Sequence, residues 1–246
     1  RRLRSFEAAG AEVMVLRADV ASLDQMQNAL RQATIQFGQV RGVIHAAGIA
    51  DYAGIIDRRS REMTECVLAP KVIGAVVLDE LLRTTKLDFF VACSSLSSIL
   101  FRGQFGQVGY CAANEFLDAF ASYKLLRDKS FTVSINWCDW QDVGMAVDSR
   151  KRWAKMHGIV EDSDSYKETL SLREGLAPSE GAEVFQRILG TGYSRIAVST
   201  RDLFLSIEQD KESSTPAFIR DFENARSLEK KHPRPELGTS YVGPRN

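Results

Sequence analysis

The sequence predicts an α/β fold, a doubly wound parallel sheet with helices on both faces. Short apolar runs alternate along the chain with longer segments whose apolar residues recur at helical spacing. The short runs are apolar at nearly every position, as in strands that are covered on both faces. Together these two patterns are typical of parallel sheets in which each strand is followed by a helix.

Composition allows one large domain and excludes several classes of partner. The chain has 246 residues, of which 44% are hydrophobic and 26% charged. Thirty-two basic residues balance 32 acidic ones, so net charge gives no reason to expect nucleic acid or an anionic membrane as a partner. No stretch is long and apolar enough to span a bilayer, and we expect a cytoplasmic protein.

The cysteines predict reduced, packed thiols and no metal site. The sequence has 4 cysteines, widely spaced and without a C-x-x-C pair, and only 3 histidines. A structural metal site needs ligands clustered at short spacing, which this distribution does not supply.

The first elements follow from capping signals. "RRLRSFEAAG" predicts a helix that ends at Gly10, and the apolar run that follows predicts a short strand ending at Asp19. Ser22 is a suitable N-cap for the next helical segment, which stops at Gly38.

The middle of the chain contains two strand patterns and an interrupted helix. "VRGVIHAAG" predicts a buried strand that runs into a turn of small residues. Residues 60–85 have helical periodicity with Pro70 inside it, which predicts a kink or a break there. "LDFFVACSS" then predicts a strand that is buried along its whole length.

The remaining pattern alternates in the same way. A helix is expected over "QVGYCAANEFLDAF", a strand over "FTVSINWCDW", a helix over "GAEVFQRILG" and a last strand over "SRIAVST". After about residue 208 the chain becomes charged and rich in proline. We therefore expect a domain over residues 1–208 and a C-terminal linker over residues 209–246.

Polar and small residues close four of the predicted strands. They are Asp19, "HAAG" at 45–48, "SSLSS" at 94–98 and "NWCDW" at 136–140. In open parallel sheets the ligand crevice lies at the carboxyl ends of the strands. These segments are therefore expected around one crevice.

The residues expected at this crevice suit the reduction of a ketone. A serine hydroxyl can hold the carbonyl oxygen, and a tyrosine phenol can protonate the alkoxide left by hydride addition. A lysine ammonium nearby would lower the pKa of the phenol from its ordinary value near 10. Tyr110, with Asn114 one helical turn later, the serines at 94–98 and Lys71 are the candidates.

Each candidate also has a purely structural explanation. A tyrosine at a helix start usually packs, serines after a strand usually cap turns, and a lysine in a helix is usually solvated. The combination is more specific than its parts, because all of these residues are expected at one edge of the sheet.

These residues resemble the ketoreductase domain of a modular polyketide synthase, or of a hybrid polyketide/nonribosomal peptide synthase. That domain belongs to the short-chain dehydrogenase/reductase superfamily, whose fold is Rossmann-like. The resemblance covers roughly residues 1–205 and rests on "RADV", "GVIHAAG", "VLAPKVIGAVVLDEL", "FFVACSSLSSIL", "GYCAANEFLDAFA", "INWCDWQDVGMA", "LREGLAPSEGAEVFQRIL" and "RIAVSTRDL".

The resemblance implies a set of catalytic residues. Simple reductases of the superfamily carry Tyr-x-x-x-Lys, whereas the synthase domains resemble this chain, with Asn114 in the fourth position and Lys71 supplied from the preceding helix. Tyr110 would donate the proton, Ser95 would position the carbonyl, Lys71 would tune the pKa of Tyr110, and Asn114 would orient Lys71 and a water.

Two serines compete for the role of carbonyl-binding group. Ser95 is the second serine of the pair that ends the strand, which is the position that the resemblance indicates. Counting back from Tyr110 by the family's usual interval selects Ser97 instead. We prefer Ser95, because a two-residue insertion is easier in the glycine-containing loop before Tyr110 than at a strand end.

The resemblance also implies NADPH as cofactor and no metal. The residues expected to border the cofactor are Asp19, Val20, Ala46, Ala47, Gly48, Lys71, Tyr110, Gly144, Met145 and Ala146. The glycine-rich G-x-G-x-x-G turn that admits a pyrophosphate is absent, which predicts that the first strand and its turn precede Arg1 in a longer polypeptide.

The implied substrate is a β-ketoacyl thioester carried on the phosphopantetheine arm of an acyl carrier protein. The C-terminal segment resembles a connector to such a carrier, and the partners would be other domains of the same synthase. The residues at the family's stereochemical markers, Ala50, Asp51, Tyr52 and Arg102, do not predict the hand of the alcohol. The alternatives are an α-ketoacyl group on a peptidyl carrier, a free-standing reductase and a non-catalytic structural half-domain.

Overall fold

A computed structural model describes residues 2–52, 54, 56–100, 106–128, 130–160 and 174–214. Within these residues, 4 strands form one sheet in the order β1-β2-β3-β4. The strands are β1 (Gly42–His45), β2 (Phe89–Ser95), β3 (Thr132–Trp137) and β4 (Arg195–Ala197). All neighbouring strands are parallel. The predicted α/β architecture is confirmed.

Helices lie between successive strands, as a parallel sheet requires, and further helices precede β1 and follow β4. They are α1 (Arg2–Ala8), α2 (Leu23–Phe37), α3 (Arg61–Leu68), α4 (Val72–Leu81), α5 (Val108–Asp128), α6 (Met145–Met156), α7 (Pro178–Leu189) and α8 (Leu203–Ser214). Short 3₁₀ turns lie at Ile56–Arg58 and Leu96–Ser98.

The predicted capping signals are confirmed. Ser22 Oγ accepts a hydrogen bond from the backbone N–H of Gln25 at 3.5 Å, at the start of α2. Gly38 follows the end of α2 with φ of 80°, a left-handed value that glycine adopts without steric cost. The predicted break at Pro70 separates α3 from α4.

The core lies on both faces of the sheet. Phe90 in β2 packs with Leu78 of α4 and Leu117 of α5 on one face. The next residue, Val91, points to the other face and packs with Ile188 of α7. Because successive strand residues face opposite sides, both layers must be apolar, which explains the unbroken apolar run in the sequence.

Two local predictions were wrong. Residues 11–19 form no strand, because an extended segment needs a hydrogen-bonded neighbour and none of the described strands pairs with it. Cys66 is exposed rather than packed, although all four cysteines are free thiols.

Two further observations concern the ends of the described region. Helix α8 continues to Ser214, past the boundary expected at residue 208, and the rest of the expected linker lies outside the described residues. No helix in the described part of the chain is both long and apolar enough to cross a membrane.

A buried histidine ends β1 and predicts sensitivity to acid. His45 is buried, and burial, followed by the charge of Lys71, lowers its pKa to about 4 from 6.5. A histidine whose pKa is depressed in the folded state resists protonation there, so the unfolded chain binds more protons between these values. The contribution of neutral His45 to the free energy of unfolding is therefore complete above pH 6.5 and is lost as pH falls towards 4.

We expect the free energy of unfolding to fall by about 3 kcal/mol between pH 6.5 and 4 on account of His45. Urea unfolding at several pH values would measure this loss, and His45→Gln should reduce it. His157→Gln, at an exposed histidine, is the matched control. An unchanged pH dependence in His45→Gln would contradict this assignment.

Candidate active site

The break between α3 and α4 places Lys71 at the edge of the sheet. Lys71 occupies the N-cap position of α4, directly after Pro70, and only 3% of it is exposed. Its ammonium donates a hydrogen bond to the carbonyl oxygen of Cys93 in β2, with Nζ and O 2.6 Å apart. The lysine is therefore buried beside the carboxyl end of β2 and not on a solvated helix face.

Lys71 and Tyr110 are brought together. Nζ of Lys71 lies 5.6 Å from the centroid of the Tyr110 ring, although the two residues belong to different helices. Burial is the largest cause that lowers the pKa of Lys71, to about 8, and electrostatic interactions with Cys93 and Asp118 oppose it. The side chain therefore remains mostly cationic at neutral pH.

The pKa of Tyr110 is raised, whereas the sequence analysis expected it to be lowered. Burial is the largest cause, and hydrogen bonding with the side chains of Asn114 and Ser95 opposes it. Lys71 does not reverse the shift, because its Nζ is directed at the carbonyl of Cys93 and lies over the ring face. The phenol therefore stays protonated at neutral pH, as a proton donor must before it reacts.

Asn114 is completely buried and holds the start of α5. Its Nδ2 donates to the carbonyl oxygen of Tyr110 at 2.9 Å and to Ser97 Oγ at 3.1 Å. The expected contact with Lys71 is not among the described hydrogen bonds. Oδ1 of Asn114 is buried without a partner among the described residues, so the site retains a hydrogen-bond acceptor.

The two competing serines have different surroundings. Ser97 is buried, and its Oγ accepts the hydrogen bond from Asn114. Ser95 is half-buried, its Oγ accepts from the backbone N–H of Ser97 at 3.2 Å, and its hydroxyl contributes to the pKa of Tyr110. Ser95 is therefore the more accessible serine and the one whose hydroxyl influences the phenol.

Asp118 stabilises the 3₁₀ turn at Leu96–Ser98 through hydrogen bonds. The sequence alone did not indicate this role. Its Oδ2 accepts from Ser98 Oγ at 2.9 Å and from Asn136 Nδ2 at 2.7 Å. The same Nδ2 lies 3.3 Å from the carbonyl oxygen of Ser95. Asp118 follows Asn114 by four residues on the same helix face, and this spacing could have identified it.

Gly48, which follows β1, packs closely against Lys71. A Cβ at Gly48 would lie 3.1 Å from Cε of Lys71 and 3.8 Å from Cε of Met145. Three of the residues predicted to border a cofactor therefore meet at one point. Gly144, with φ of 93°, precedes Met145 and turns the chain into α6.

Val20 lies at the same edge of the sheet. A Cβ on Gly74 would come within 2.8 Å of Val20 Cγ1 and 3.3 Å of His45 Cε1, so Val20 packs beside the end of β1. Asp19 is exposed and accepts from the backbone N–H of Ala21 at 2.9 Å. No cluster of three or more potential metal ligands occurs within the described ranges.

A family model and the most similar sequences agree on the family of this chain. The KR domain family matches residues 1–142. Polyketide synthase PksM of Bacillus subtilis (strain 168) is 33% identical over 189 residues, which is 77% of this chain and 4% of that synthase. The 6-methylsalicylic acid synthase of Aspergillus terreus (strain NIH 2624 / FGSC A1156) is 38% identical over 146 residues, 59% of this chain and 8% of that protein.

Solved structures agree with the sequence relatives. An N-terminal ketoreductase from the macrolactin assembly line superposes with a TM-score of 0.66 at 30% identity, over 85% of this chain and 38% of that one. A ketoreductase domain from the bacillaene assembly line has a TM-score of 0.65 at 29% identity, over 84% of this chain and 47% of that one. The chain thus spans a small part of the synthases and less than half of these structures.

Proposed function

The chain belongs to the KR domain family, the ketoreductases of polyketide synthases, and we propose that it reduces a β-ketoacyl thioester on an acyl carrier protein, using NADPH. The observation that carries the proposal is the buried Lys71 ammonium 5.6 Å from the centre of the Tyr110 ring. A buried cation beside a phenol has little use in packing, because burial of an ammonium costs free energy. It is suited to stabilising a phenolate.

The proposed mechanism assigns one task to each side chain. The hydroxyl of Ser95 donates a hydrogen bond to the substrate carbonyl oxygen, and Tyr110 transfers its phenolic proton to that oxygen as it becomes an alkoxide. The Lys71 ammonium then stabilises the Tyr110 phenolate. Asn114 holds the backbone of Tyr110 in the first turn of α5.

A bound nicotinamide supplies the hydride in this chemistry. Gly48, Lys71 and Met145, which lie together, would border the nicotinamide and ribose half of a dinucleotide, with Ala46, Ala47, Gly144 and Ala146 as further neighbours by resemblance to the family. Asp19 and Val20 would border the adenine half. The family depends on nicotinamide cofactors, and we propose NADPH rather than NADH as the cofactor of this domain.

The carrier-bound substrate is proposed because the relatives are large synthases. PksM and the 6-methylsalicylic acid synthase are far longer than this chain, which covers 4% and 8% of them. We therefore propose that residues 1–208 contribute to a catalytic domain of a larger synthase and that residues 209–246 lead towards a carrier protein.

An assay of the full-length polypeptide tests the proposal. We expect NADPH to be oxidised in the presence of a β-ketoacyl thioester, with less activity on an α-ketoacyl thioester, on a simple ketone or with NADH. The loss of absorbance at 340 nm and chromatography of the hydroxyacyl product would measure it. No turnover of any ketoacyl thioester would refute the proposed reaction, and preference for simple ketones would favour a free-standing reductase.

The choice between the two serines makes a separate prediction. We expect Ser95→Ala to lower kcat by about 10-fold or more, because one hydrogen bond to the developing oxyanion is lost. Ser97→Ala removes the acceptor of Asn114 instead and should act mainly on stability, at a cost of about 1–3 kcal/mol. Kinetics and urea unfolding of both variants would measure this, and the opposite pattern would assign the carbonyl to Ser97.

A further inference from the structure

The first turn of α5 is capped by a carboxylate from a distant loop. Oδ2 of Asp51 accepts a hydrogen bond from the backbone N–H of Gly109 at 2.9 Å and lies 3.3 Å from that of Tyr110. Asp51 follows β1, and 58 residues separate it from Gly109. Backbone N–H groups at a helix start have no partner within the helix, and a negative charge there is favourable.

Arg59 holds this carboxylate in place. Its Nη1 donates to both carboxylate oxygens of Asp51, at 3.0 and 2.8 Å. The side chain of Asp51 is fully buried and that of Arg59 is 5% exposed. A buried carboxylate with this many donors has a fixed position, because any movement would leave a buried charge without its partner.

Gly109 lets the pair approach the helix. A Cβ at Gly109 would lie 2.6 Å from Nη2 of Arg59 and 3.0 Å from Oδ2 of Asp51. Gly109 is therefore needed for close packing, since its backbone N–H must meet the carboxylate directly. Tyr110 is the next residue, so its backbone shares the same anchor.

We propose that Asp51, clamped by Arg59, is a positioning residue that sets the first turn of α5 and thereby the placement of the Tyr110 hydroxyl; the kinetic part of this inference rests on the proposed function. The backbone of Tyr110 is held on both sides. Asn114 holds the carbonyl of Tyr110 from one turn later, and Asp51 holds its N–H side.

The expected kinetic effect falls on proton transfer and not on binding. In the full-length polypeptide, Asp51→Asn should lower kcat by about 10-fold and Asp51→Ala by about 100-fold, since displacement of a reacting group by ~1 Å costs on that order. KM for a β-ketoacyl thioester and the Kd for NADPH should change by less than about 2-fold. The solvent deuterium isotope effect on kcat should rise, because proton transfer becomes slower relative to other steps.

Gly109→Ala provides an independent variant that is expected to fold. Alanine favours a helix more than glycine does, but its Cβ would push the carboxylate and guanidinium away from the backbone. We expect it to lower kcat and raise the isotope effect as Asp51→Asn does. Asp57→Asn is the matched control, an exposed aspartate in the same loop, and should leave both unchanged.

Hydrogen exchange separates this inference from the proposed reaction. Amide exchange of peptides covering residues 107–114 should become faster in Asp51→Asn and Gly109→Ala but not in Asp57→Asn. Unchanged exchange, or folded variants with faster exchange that keep the wild-type kcat and isotope effect, would overturn the positioning role. A wild-type protein without ketoacyl reduction would instead refute the proposed function, while the exchange measurement would still decide the capping role.

Discussion

Tyr110→Phe should lower kcat for ketoacyl reduction by about 10²- to 10⁴-fold, the range that a positioned general acid contributes. The substitution removes one hydroxyl from a half-buried ring and leaves its packing in place. The alkoxide would then have to take its proton from water, which is neither positioned nor activated. Steady-state and single-turnover kinetics with a β-ketoacyl thioester would measure the loss.

Two controls show whether a loss of rate comes from the missing hydroxyl. NADPH binding and thermal unfolding should be nearly unchanged in Tyr110→Phe, so that a loss of rate cannot be assigned to misfolding. Tyr123→Phe changes a tyrosine that is 57% exposed on the same helix and should retain wild-type activity. Full activity of Tyr110→Phe would contradict the catalytic assignment.

Lys71→Met should lower kcat by about 10²-fold, since the phenolate left by proton transfer loses its cationic neighbour. In the wild type, the pKa of Lys71 is about 8. The fraction of ammonium therefore falls as pH rises through 8, and we expect kcat to decline over the same range. That decline should be absent from the pH profile of Lys71→Met.

The same substitution should not destabilise the protein strongly. The pKa of Lys71 is lowered from 10.5 to about 8, so the folded state disfavours the ammonium and stability rises with pH between these values, where the unfolded chain binds more protons. This penalty is about 3 kcal/mol below pH 8. Methionine removes it, at the cost of the hydrogen bond to Cys93.

The control for Lys71 is an exposed lysine. Lys86→Met should keep both the rate and its pH dependence, because Lys86 lies on the surface. Lys71→Met with wild-type kcat, or with the wild-type decline above pH 8, would show that another group supplies the charge.

Much of the fold could be predicted because local signals and packing agree. Pro70 breaks the helical segment, and the successive buried residues Phe90 and Val91 require layers on both sides of the sheet. The run at 11–19 has a similar apolar character but is not a strand in the structure. Strand formation depends on a hydrogen-bonded neighbour, which local sequence does not show.

The candidate site was predicted in part, because the sequence shows local spacing but not burial or long-range contacts. The spacing of Tyr110 and Asn114 places both on one face of a helix, and the structure shows Asn114 reaching back to the carbonyl of Tyr110. Burial raises the pKa of Tyr110, and the sequence did not show how deeply the ring would be enclosed. The capping role of Asp51 was missed because it joins parts of the chain that only the tertiary fold brings together.

The central claim is that hydride transfer from a nicotinamide to a ketoacyl group is completed by a proton from Tyr110. The most direct measurement uses NADPH deuterated at the transferred position, with the full-length polypeptide and a β-ketoacyl thioester. We predict a hydroxyacyl product with one deuterium at the carbinol carbon, formed by the wild type and nearly absent with Tyr110→Phe. Product without deuterium, or equal amounts of deuterated product from both proteins in the same short reaction time, would contradict the account.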